Sequence, residues 1–393
     1  MSLSGKRILL GVSGGIAVYK IPELLSRLRK AGAETRVVMT EGAARFVTPL
    51  TFQTMSGHAV YTDLFAESEG MIPHIDLTRE ADLFLLAPAT ANILAKMANG
   101  IADDLLSATA LAAHCPVMVA PAMNVVMYHN AATQENLETL RKRGIQVLEP
   151  DAGWLACQEE GEGRMPEAAS LFLSIESALT EKDLSGKRIL VSAGPTRERL
   201  DPVRFLTNDS SGKQGVAIAK RARMRGAEVT LVHGEMKVPV PEGVHAIAVE
   251  STQDMLVALE KEFPKADALL MAAAPADFRP VEEKTQKIKG TDDGKVHILE
   301  MVDTPDILRH LATMKTNQTV IGFATESEKV LDHAREKRKK KKLDYIVAND
   351  VTKEGAAFDY DTNIVTILGE EKEEALPLLT KEEVADHLLD LLR

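Results

Sequence analysis

A serine and two glycines directly follow the first apolar segment of the chain. Ser13, Gly14 and Gly15 stand in the run GVSGGIAVYK, between an apolar strand pattern and a helical stretch. Such a turn presents unpaired backbone N–H groups and the positive end of a helix dipole to an anion. It therefore indicates a phosphate site, although the same turn can simply connect a strand to a helix, and the full GxGxxG fingerprint is absent.

A second candidate anion site lies in the basic run REKRKKKK, Arg335 to Lys342. A lysine-rich helix end is usually a solvated surface. Lys337 and Lys341, however, are four residues apart, so they share one helical face and could reach a triphosphate together. The other lysines of the run need no function.

Apolar runs alternate with amphipathic stretches along the chain, which is typical of strands buried on both faces of a parallel sheet with flanking helices. The predicted fold class is α/β, with two doubly wound domains, Rossmann-like or flavodoxin-like, and mostly parallel sheets. Ligands of such sheets bind beyond the carboxyl ends of the strands, where Ser13 lies. The predicted strands are Arg7–Val12, Thr35–Met39, Leu83–Ala87, Val117–Ala120, Gln146–Leu148, Arg188–Ser192, Glu228–Val232, His245–Val249, Ala268–Ala272, Val320–Phe323, Tyr345–Ala348 and Asn363–Ile367.

An internal repeat divides the chain into two similar halves. LSGKRIL at Leu3 to Leu9 recurs at Leu184 to Leu190, and a small-residue turn, a helical stretch and a strand led by Gly-Ala-Glu follow both copies. A chain of 393 residues also exceeds the size at which one hydrophobic core stops growing. We predict domains at 1–183 and 184–393.

The composition restricts the class of protein. A content of 45% hydrophobic and 27% charged residues fits a globular α/β protein. The net charge of −11 disfavours nucleic-acid binding and favours small-molecule partners. Two cysteines, Cys115 and Cys157, do not form a disulfide framework, and no segment has the length of a signal peptide or membrane span. We expect a cytoplasmic protein without a membrane partner.

Six segments of the first half occur in an order that is highly specific. They are GVSGGIAVYK, MIPHIDL (71–77), APATAN (87–92), IADDLL (101–106), PAMNVVMY (121–128) and GWLACQEEGEGRMPE (153–167). With them, residues 5–180 resemble the homo-oligomeric flavin-containing cysteine decarboxylases, in particular the phosphopantothenoylcysteine decarboxylase part of bifunctional bacterial proteins. The resemblance implies an FMN cofactor.

The resemblance also implies roles for individual residues. Those near the cofactor are Ser13, Gly15, Ile16 and Thr40 at the phosphate, and Thr90, Ala91 and Asn92 at the remainder. His74, ahead of a strand-like Ile-Asp-Leu, is implied as the base, although without the family pattern a capping or packing role is favoured. Asn124 can donate to the substrate carboxylate without a repelling charge. Cys157 is implied as the acid of the final reduction, whereas Cys115 starts an apolar strand and is predicted to be buried.

The implied chemistry is the loss of CO2 from a cysteinyl amide, which needs an electron sink. The flavin would oxidise the thiol to a thioaldehyde, decarboxylation would leave an enethiolate, and the reduced flavin would return the hydride. The chain departs from the family pattern at Tyr128, where tryptophan is usual, and at Gln158, where glycine is common.

The second half resembles phosphopantothenate–cysteine ligase over residues 185–393. The matching segments are SAGPTRERLDPVRFLTNDSSGKQG (192–215), AAAPADFRP (272–280), KIKG (287–290), TPDIL (304–308), GFATE (322–326), the basic run and VAND (347–350). Such a ligase activates the carboxylate of 4′-phosphopantothenate at a nucleotide α-phosphate and transfers the acyl group to the amine of cysteine. Pro275 and Asp209 depart from the family pattern.

By this resemblance, Lys287 assists the first step at the triphosphate and Asn208 holds the acyl-nucleotide. The other implied nucleotide contacts are Ala273, Asp277, Pro305, Asp306, Ile307, Leu308, Phe323, Lys337 and Lys341. Mg²⁺ would neutralise phosphate charge, and its ligands are not indicated. The resemblance implies CTP, but the residues alone do not distinguish CTP from ATP.

Two alternatives follow from the same patterns. Relatives of the decarboxylases include regulatory FMN-binding proteins, which the presence of His74, Asn124 and Cys157 disfavours. A nicotinamide dehydrogenase is disfavoured because neither half has GxGxxG followed by an acidic ribose ligand. The family's trimeric flavin domains and dimeric ligase domains imply a homo-oligomer, specifically a dodecamer.

Overall fold

The computed structural model describes residues 3–65, 72–154, 160–289, 298–326, 330–350 and 359–393. The chain divides into two compact units, Met1–Thr180 and Glu181–Arg393. Each unit has a sheet and hydrophobic core clusters of its own.

The first unit alternates strands with helices. Its described strands are β1 Arg7–Val12, β2 Glu34–Met39, β3 Val60–Tyr61, β4 Leu83–Ala89, β5 Val117–Pro121, β6 Gln146–Val147, β7 Asp151–Trp154 and β8 Glu160–Arg164. Its described α-helices are α1 Ile21–Lys30, α2 Glu41–Ala44, α3 Pro49–Ser56, α4 Pro73–Glu80, α5 Ala91–Asn99, α6 Leu105–Leu111, α7 Val125–His129, α8 Ala131–Lys142 and α9 Ala168–Leu179, and a 3-10 helix spans Ile16–Lys20.

The first six strands form one parallel sheet in the order β3-β2-β1-β4-β5-β6. The strand order reverses between β1 and β4, and a crevice opens at such a switch point beyond the carboxyl ends of the strands. Both faces of β1 are buried, because Ile8 and Leu10 belong to one core cluster and Leu9 to another. The sheet thus positions Ser13 and Thr90 beside each other, directly after β1 and β4.

The second unit contains the remaining elements. Its described strands are β9 Arg188–Ala193, β10 Arg197–Arg199, β11 Phe205–Thr207, β12 Glu228–His233, β13 His245–Ala248, β14 Ala268–Met271, β15 Phe278–Pro280, β16 Met301–Asp303, β17 Thr319–Glu326, β18 Tyr345–Asp350, β19 Thr362–Asn363, β20 Val365–Leu368, β21 Glu373–Ala375 and β22 Leu379–Thr380. Its described α-helices are α10 Lys213–Met224, α11 Thr252–Glu262, α12 Ile307–Leu311, α13 Val330–Lys340 and α14 Lys381–Asp390, and a 3-10 helix spans Phe263–Lys265.

The main sheet of this unit has eight strands in the order β13-β12-β9-β14-β17-β18-β20-β21. It is parallel from β13 to β18, and the last two strands are antiparallel. Its switch point lies between β9 and β14. As in the first unit, neighbouring residues of the first strand, Leu190 and Val191, contribute to separate core clusters.

The predicted α/β class with mostly parallel sheets is confirmed. Every predicted strand is present with small changes at its ends, except that the predicted strand Asn363–Ile367 is divided into β19 and β20. The strand-like interpretation of Ile75 to Leu77 was wrong, because these residues belong to α4. Pro73 occupies the first turn of that helix, where its missing N–H costs nothing, and Leu77 and Thr78 face the interior.

Two candidate active sites

A cavity of about 780 Å³ opens in the first unit at the carboxyl ends of β1 and β4. Its lining includes all seven residues predicted to contact the flavin, together with one predicted catalytic residue: Ser13, Gly15, Ile16, Thr40, Thr90, Ala91, Asn92 and Asn124. The structure therefore brings together side chains from four separate segments of the sequence.

Ser13 connects two of these segments. Its buried hydroxyl donates to the carbonyl oxygen of Pro88 at 2.7 Å and accepts from the backbone N–H of Thr90 at 3.0 Å. The side-chain oxygen of Thr90 caps α5 by accepting from the N–H of Ile93, and Thr40 caps α2 by accepting from Ala43. Helix starts with polar caps thus border the cavity beside the glycine turn, which suits an anionic group.

The glycine turn is packed closely against a second glycine. A Cβ added to Gly14 would stand 2.8 Å from the carbonyl carbon of Gly42, so backbone meets backbone at this point. Both glycines line the cavity, and no side chain separates its wall from a flat ligand there. This surface of small residues, next to capped helix starts, fits a flavin with a phosphate tail.

Asn124 caps α7 at the opposite wall. Its side-chain oxygen accepts from the backbone N–H of Val126 at 2.8 Å and of Met127 at 3.4 Å. Because the oxygen is held by the helix, Nδ2 is the atom through which Asn124 could donate to a carboxylate. β8 supports this loop, since the N–H of Met123 donates to the carbonyl of Gly163 at 3.0 Å.

Lys20 is a lining residue for which sequence reasoning assigned no role. Its side chain is only 6% exposed, and Nζ donates to the carbonyl oxygen of Met165 and to Glu167, each at 2.9 Å. The hydrogen bond from Lys20 lowers the pKa of Glu167, which also accepts from Arg164 at 2.5 Å. The ammonium group thus ties the segment after β8 to the wall of the cavity. Its place at the end of GVSGGIAVYK was the only signal in the sequence.

His74 is not among the residues that line this cavity. His74 lies in the first turn of α4, and its Nδ1 is buried without a hydrogen-bond partner. Cys157 lies outside the described residues, in the segment between β7 and β8. Cys115 is half-buried, and burial raises the pKa of its thiol.

Tyr128 points away from the cavity, although its neighbour Met127 lines it. The Tyr128 side chain is 6% exposed and packs in the cluster that contains Leu137 and Leu140. Its hydroxyl donates to Glu149 at 3.0 Å. Burial, together with this hydrogen bond, raises the pKa of Tyr128 to about 12. The departure from tryptophan therefore affects the core next to the site and not the cavity wall.

A cavity of about 870 Å³ lies in the second unit, at the carboxyl end of β14 and beside β17 and β18. Nearly all residues predicted to contact the nucleotide line it, together with the predicted catalytic Asn208: Ala273, Asp277, Pro305, Asp306, Ile307, Leu308, Phe323, Lys337 and Lys341. The departures Asp209 and Pro275 also line this cavity.

The polar groups of this second cavity come from several elements. Asn208 donates through Nδ2 to the carbonyl oxygens of Ala274 and Pro275, at 3.2 and 2.9 Å. Lys341 pairs with Asp306 at 3.0 Å, and the carboxylate of Asp306 also caps α12. Gly212, with a φ of 78°, starts α10 at the cavity wall. Cations and a helix N-terminus therefore face one space, which suits a polyphosphate.

Two further lysines in this cavity were missed from the sequence. Lys213, the first residue of α10, donates to the carbonyl of Asp359 at 2.6 Å and to the carboxylate of Asp361 at 2.7 Å. Lys381 is 6% exposed, and Nζ donates to the carbonyl of Tyr360 at 2.6 Å. Burial, and next the charge of Lys213, lowers the pKa of Lys381 to about 8. Lys381 stands apart from any lysine run, so nothing in the sequence distinguished it from a surface lysine.

Lys287 is exposed and does not line the cavity of its own unit. Over the described ranges, no group of three or more His, Cys, Asp or Glu side chains could hold a metal ion. Within the same ranges, no helix has the length and apolar character needed to cross a membrane.

Comparisons with known proteins identify related sequences over the whole chain. The family model described as Flavoprotein matches residues 1–180, and that described as DNA/pantothenate metabolism flavoprotein C-terminal domain matches residues 184–393. The coenzyme A biosynthesis bifunctional protein CoaBC of Vibrio vulnificus (strain YJ016) is 46% identical over 390 residues, covering 99% of this chain and 97% of that protein. The protein of the same name from Bacillus subtilis (strain 168) is 46% identical over 395 residues, covering 98% and 96%. A crystal structure of the C-terminal domain of such a protein is 43% identical, with a TM-score of 0.46, covering 54% of this chain and 96% of that one.

Proposed function

Because the chain belongs to the family of coenzyme A biosynthesis bifunctional proteins, we propose that its two parts catalyse two successive reactions. Residues 184–393 join cysteine to 4′-phosphopantothenate with CTP and Mg²⁺. Residues 1–183 then decarboxylate 4′-phosphopantothenoylcysteine to 4′-phosphopantetheine with FMN. The observation that carries the proposal is that each unit has its own cavity at the carboxyl-end edge of its sheet, lined in the first unit by the seven residues predicted to bind FMN and in the second by nearly all of those predicted to bind the nucleotide. Both reactions take place in the cytoplasm.

FMN is held in the first cavity. Ser13, Gly15, Ile16 and Thr40 would hold its phosphate. Thr90, Ala91 and Asn92 border the remainder. When bound, the flavin takes two electrons from the substrate thiol and returns them after CO2 has left.

The chain's own residues bind the substrate and move protons. Asn124 donates from Nδ2 to the departing carboxylate, an orientation supported by the capping bonds of its oxygen. His74 takes the thiol proton as a base, and Cys157 gives a proton to the product at the end. Lys20 holds the segment after β8 in place and keeps that wall closed to water.

In the second cavity, Lys337 and Lys341 bind the triphosphate of the nucleotide, and Asp277, Phe323, Ala273 and the segment 305–308 border its base and ribose. Lys287 stabilises the charge that develops as the carboxylate attacks the α-phosphate. Asn208 holds the acyl-nucleotide for attack by the amine of cysteine. Its proposed role is supported by its bonds to Ala274 and Pro275, which fix its amide at the edge of the cavity.

The enzyme is a homo-oligomer, specifically a dodecamer, in which a second copy completes the flavin site. Two observations support this. The Nδ1 atom of His74 is buried without a partner and does not reach the cavity of its own unit. Apolar side chains at the cavity are also exposed in the single chain, with Tyr19 at 60%, Ile16 at 54% and Met127 at 48%.

The test is an assay of the purified protein with 4′-phosphopantothenate, cysteine, Mg²⁺ and CTP, which follows CMP, CO2 and 4′-phosphopantetheine. The absorbance of bound flavin is recorded first. We expect a yellow protein and all three products. Asn208→Ala should stop CMP release but retain decarboxylation of added 4′-phosphopantothenoylcysteine, and His74→Asn should do the reverse.

Each failure has its own meaning. CMP without CO2 would contradict the decarboxylase and favour a regulatory flavin-binding unit. If CTP gave no CMP but ATP gave AMP, only the proposed use of CTP as the nucleotide would be contradicted. No reaction with any nucleotide would contradict the ligase.

A further inference from the structure

The loop that carries Lys287 is anchored to a turn of the chain about eighty residues earlier. The backbone N–H of Lys284 donates to the carbonyl of Leu200 at 3.0 Å. The N–H of Ile288 donates to Oδ2 of Asp201 at 3.0 Å, and the side chain of Arg204 donates to the carbonyl of Ile288 at 2.5 Å. Lys287 is therefore exposed but lies next to a residue that is held on both its N–H and its C=O.

Asp201 is the centre of this anchorage, although it is remote in sequence from Lys287. Its side chain is 0% exposed. Oδ1 accepts from the N–H groups of Val203 and Arg204 at 2.8 and 2.9 Å, so one carboxylate holds the turn with one oxygen and the loop with the other. Burial alone would raise the pKa of Asp201, but the N–H donors, that of Ile288 first, lower it, so the carboxylate stays charged.

We propose that Asp201 is a positioning residue for the first step of the ligase, which acts by fixing the backbone that presents Lys287. The inference rests on the proposed function, in which Lys287 stabilises the α-phosphate during formation of the acyl-nucleotide. A lysine side chain has many rotamers, so its ammonium group can be positioned at one phosphate only if the backbone that carries it is held in place. Asp201 holds that backbone in place without contacting the substrate.

The substitution Asp201→Asn isolates this effect. An amide has one accepting oxygen and places N–H donors where the second carboxylate oxygen stood, so it cannot accept from both the turn and the loop. Formation of the acyl-nucleotide should slow by roughly 10- to 100-fold, because misplacement of a catalytic group by about 1 Å has an effect of this order. The KM for nucleotide should change little, because Phe323 and Lys341 lie on other elements.

The experiment is a double-mutant cycle on the full-length protein. Pyrophosphate release is measured with 4′-phosphopantothenate and CTP but without cysteine, for Asp201→Asn, Lys287→Ala and the double variant. If Asp201 acts through Lys287, Asp201→Asn should have no further effect in the Lys287→Ala background. An equal loss in both backgrounds, or no loss in Asp201→Asn, would overturn the proposal.

Asp344→Asn is the matched control. Asp344 also accepts a backbone N–H, that of Val320 at 2.7 Å, but it directly precedes β18 and is not among the residues that line the cavity. It should lower stability without a loss of pyrophosphate release. If Lys287→Ala alone keeps the full rate, the proposed role of Lys287 fails, and with it the inference. If the unsubstituted protein releases no pyrophosphate, the proposed ligase function fails instead.

A measurement on the unsubstituted protein decides the question if Asp201→Asn does not fold. The Ile288 amide should be protected from hydrogen exchange relative to the neighbouring exposed Gln286, because it donates to a buried carboxylate. Equal exchange at the two amides would show that the loop is not anchored and would overturn the proposal.

Discussion

The hydroxyl oxygen of Ser13 lies 3.0 Å from the backbone nitrogen of Thr90, which is 77 residues later in the chain. The same hydroxyl donates to Pro88. One small side chain thus holds the first glycine turn against the end of β4, and the cavity lies between these two segments. The stability of the first unit and the ability of its cavity to hold a flavin should therefore both depend on the hydroxyl oxygen of Ser13.

Replacement of this hydroxyl tests that dependence. Ser13→Ala removes an acceptor from Thr90 N–H and a donor from Pro88, so we expect a loss of about 2 kcal/mol in the free energy of unfolding. Bound flavin should fall in parallel. Urea denaturation and flavin absorbance measure the two effects. Ser174→Ala, at a half-buried serine of α9 whose hydroxyl donates only to the helix carbonyl of Ser170, is the control and should change neither. Full flavin content in Ser13→Ala would contradict the prediction.

Adjacent glycines of the turn should respond differently to the same added methyl group. In Gly14→Ala the new Cβ meets the Gly42 backbone at 2.8 Å, whereas in Gly15→Ala its nearest neighbour is the Thr90 methyl at 3.4 Å. Backbone cannot rotate away, so Gly14→Ala should cost about 1–3 kcal/mol and Gly15→Ala less than about 0.5 kcal/mol. Denaturation of the flavin-free proteins measures the difference, and equal midpoints would refute it.

Substitutions at Tyr128 and Met127 should have separate effects on stability and on decarboxylation. Tyr128→Phe removes the hydrogen bond to Glu149, so we expect a loss of about 1 kcal/mol in stability and an unchanged rate of decarboxylation. Met127→Ala removes an exposed lining side chain and should slow decarboxylation with little loss of stability. Thermal unfolding and CO2 release measure the pair. A decarboxylation defect in Tyr128→Phe would contradict the orientation of this ring.

Nucleotide binding should take up a proton through Lys381. Its pKa of about 8 results from burial and from Lys213, opposed by Asp361 and Asp359. A bound triphosphate favours the ammonium form, so the pKa should rise on binding and nucleotide affinity should fall as the pH increases above 8. Calorimetry in buffers of different ionisation enthalpy measures the uptake.

Two lysine variants test which side chain takes up that proton. Lys381→Met should abolish the uptake near pH 8. Lys339→Met should retain it, because Lys339 is an exposed residue of α13 that does not line the cavity. Identical uptake in both variants would show that another group titrates.

The sequence by itself determined the fold class and the strands that build the sheets. The side chains from Ile8 to Val12 are continuously apolar, so they are removed from water only when both faces of the strand are covered. The run therefore predicts a central strand without knowledge of the neighbouring strands. The same local logic predicts the turn at Gly14. Family resemblance, not spacing, supplied the roles of His74 and Asn208, which stay predictions.

Only the tertiary structure decided which side chains meet and which are buried. Ser13 and Thr90 come together because β1 and β4 are neighbours, and that pairing depends on the whole strand order. Lys381 loses its solvent because α14 packs against α10, and Asp201 reaches Ile288 across the chain. Burial and pairing of this kind arise from contacts between distant segments, which local periodicity and residue type do not encode.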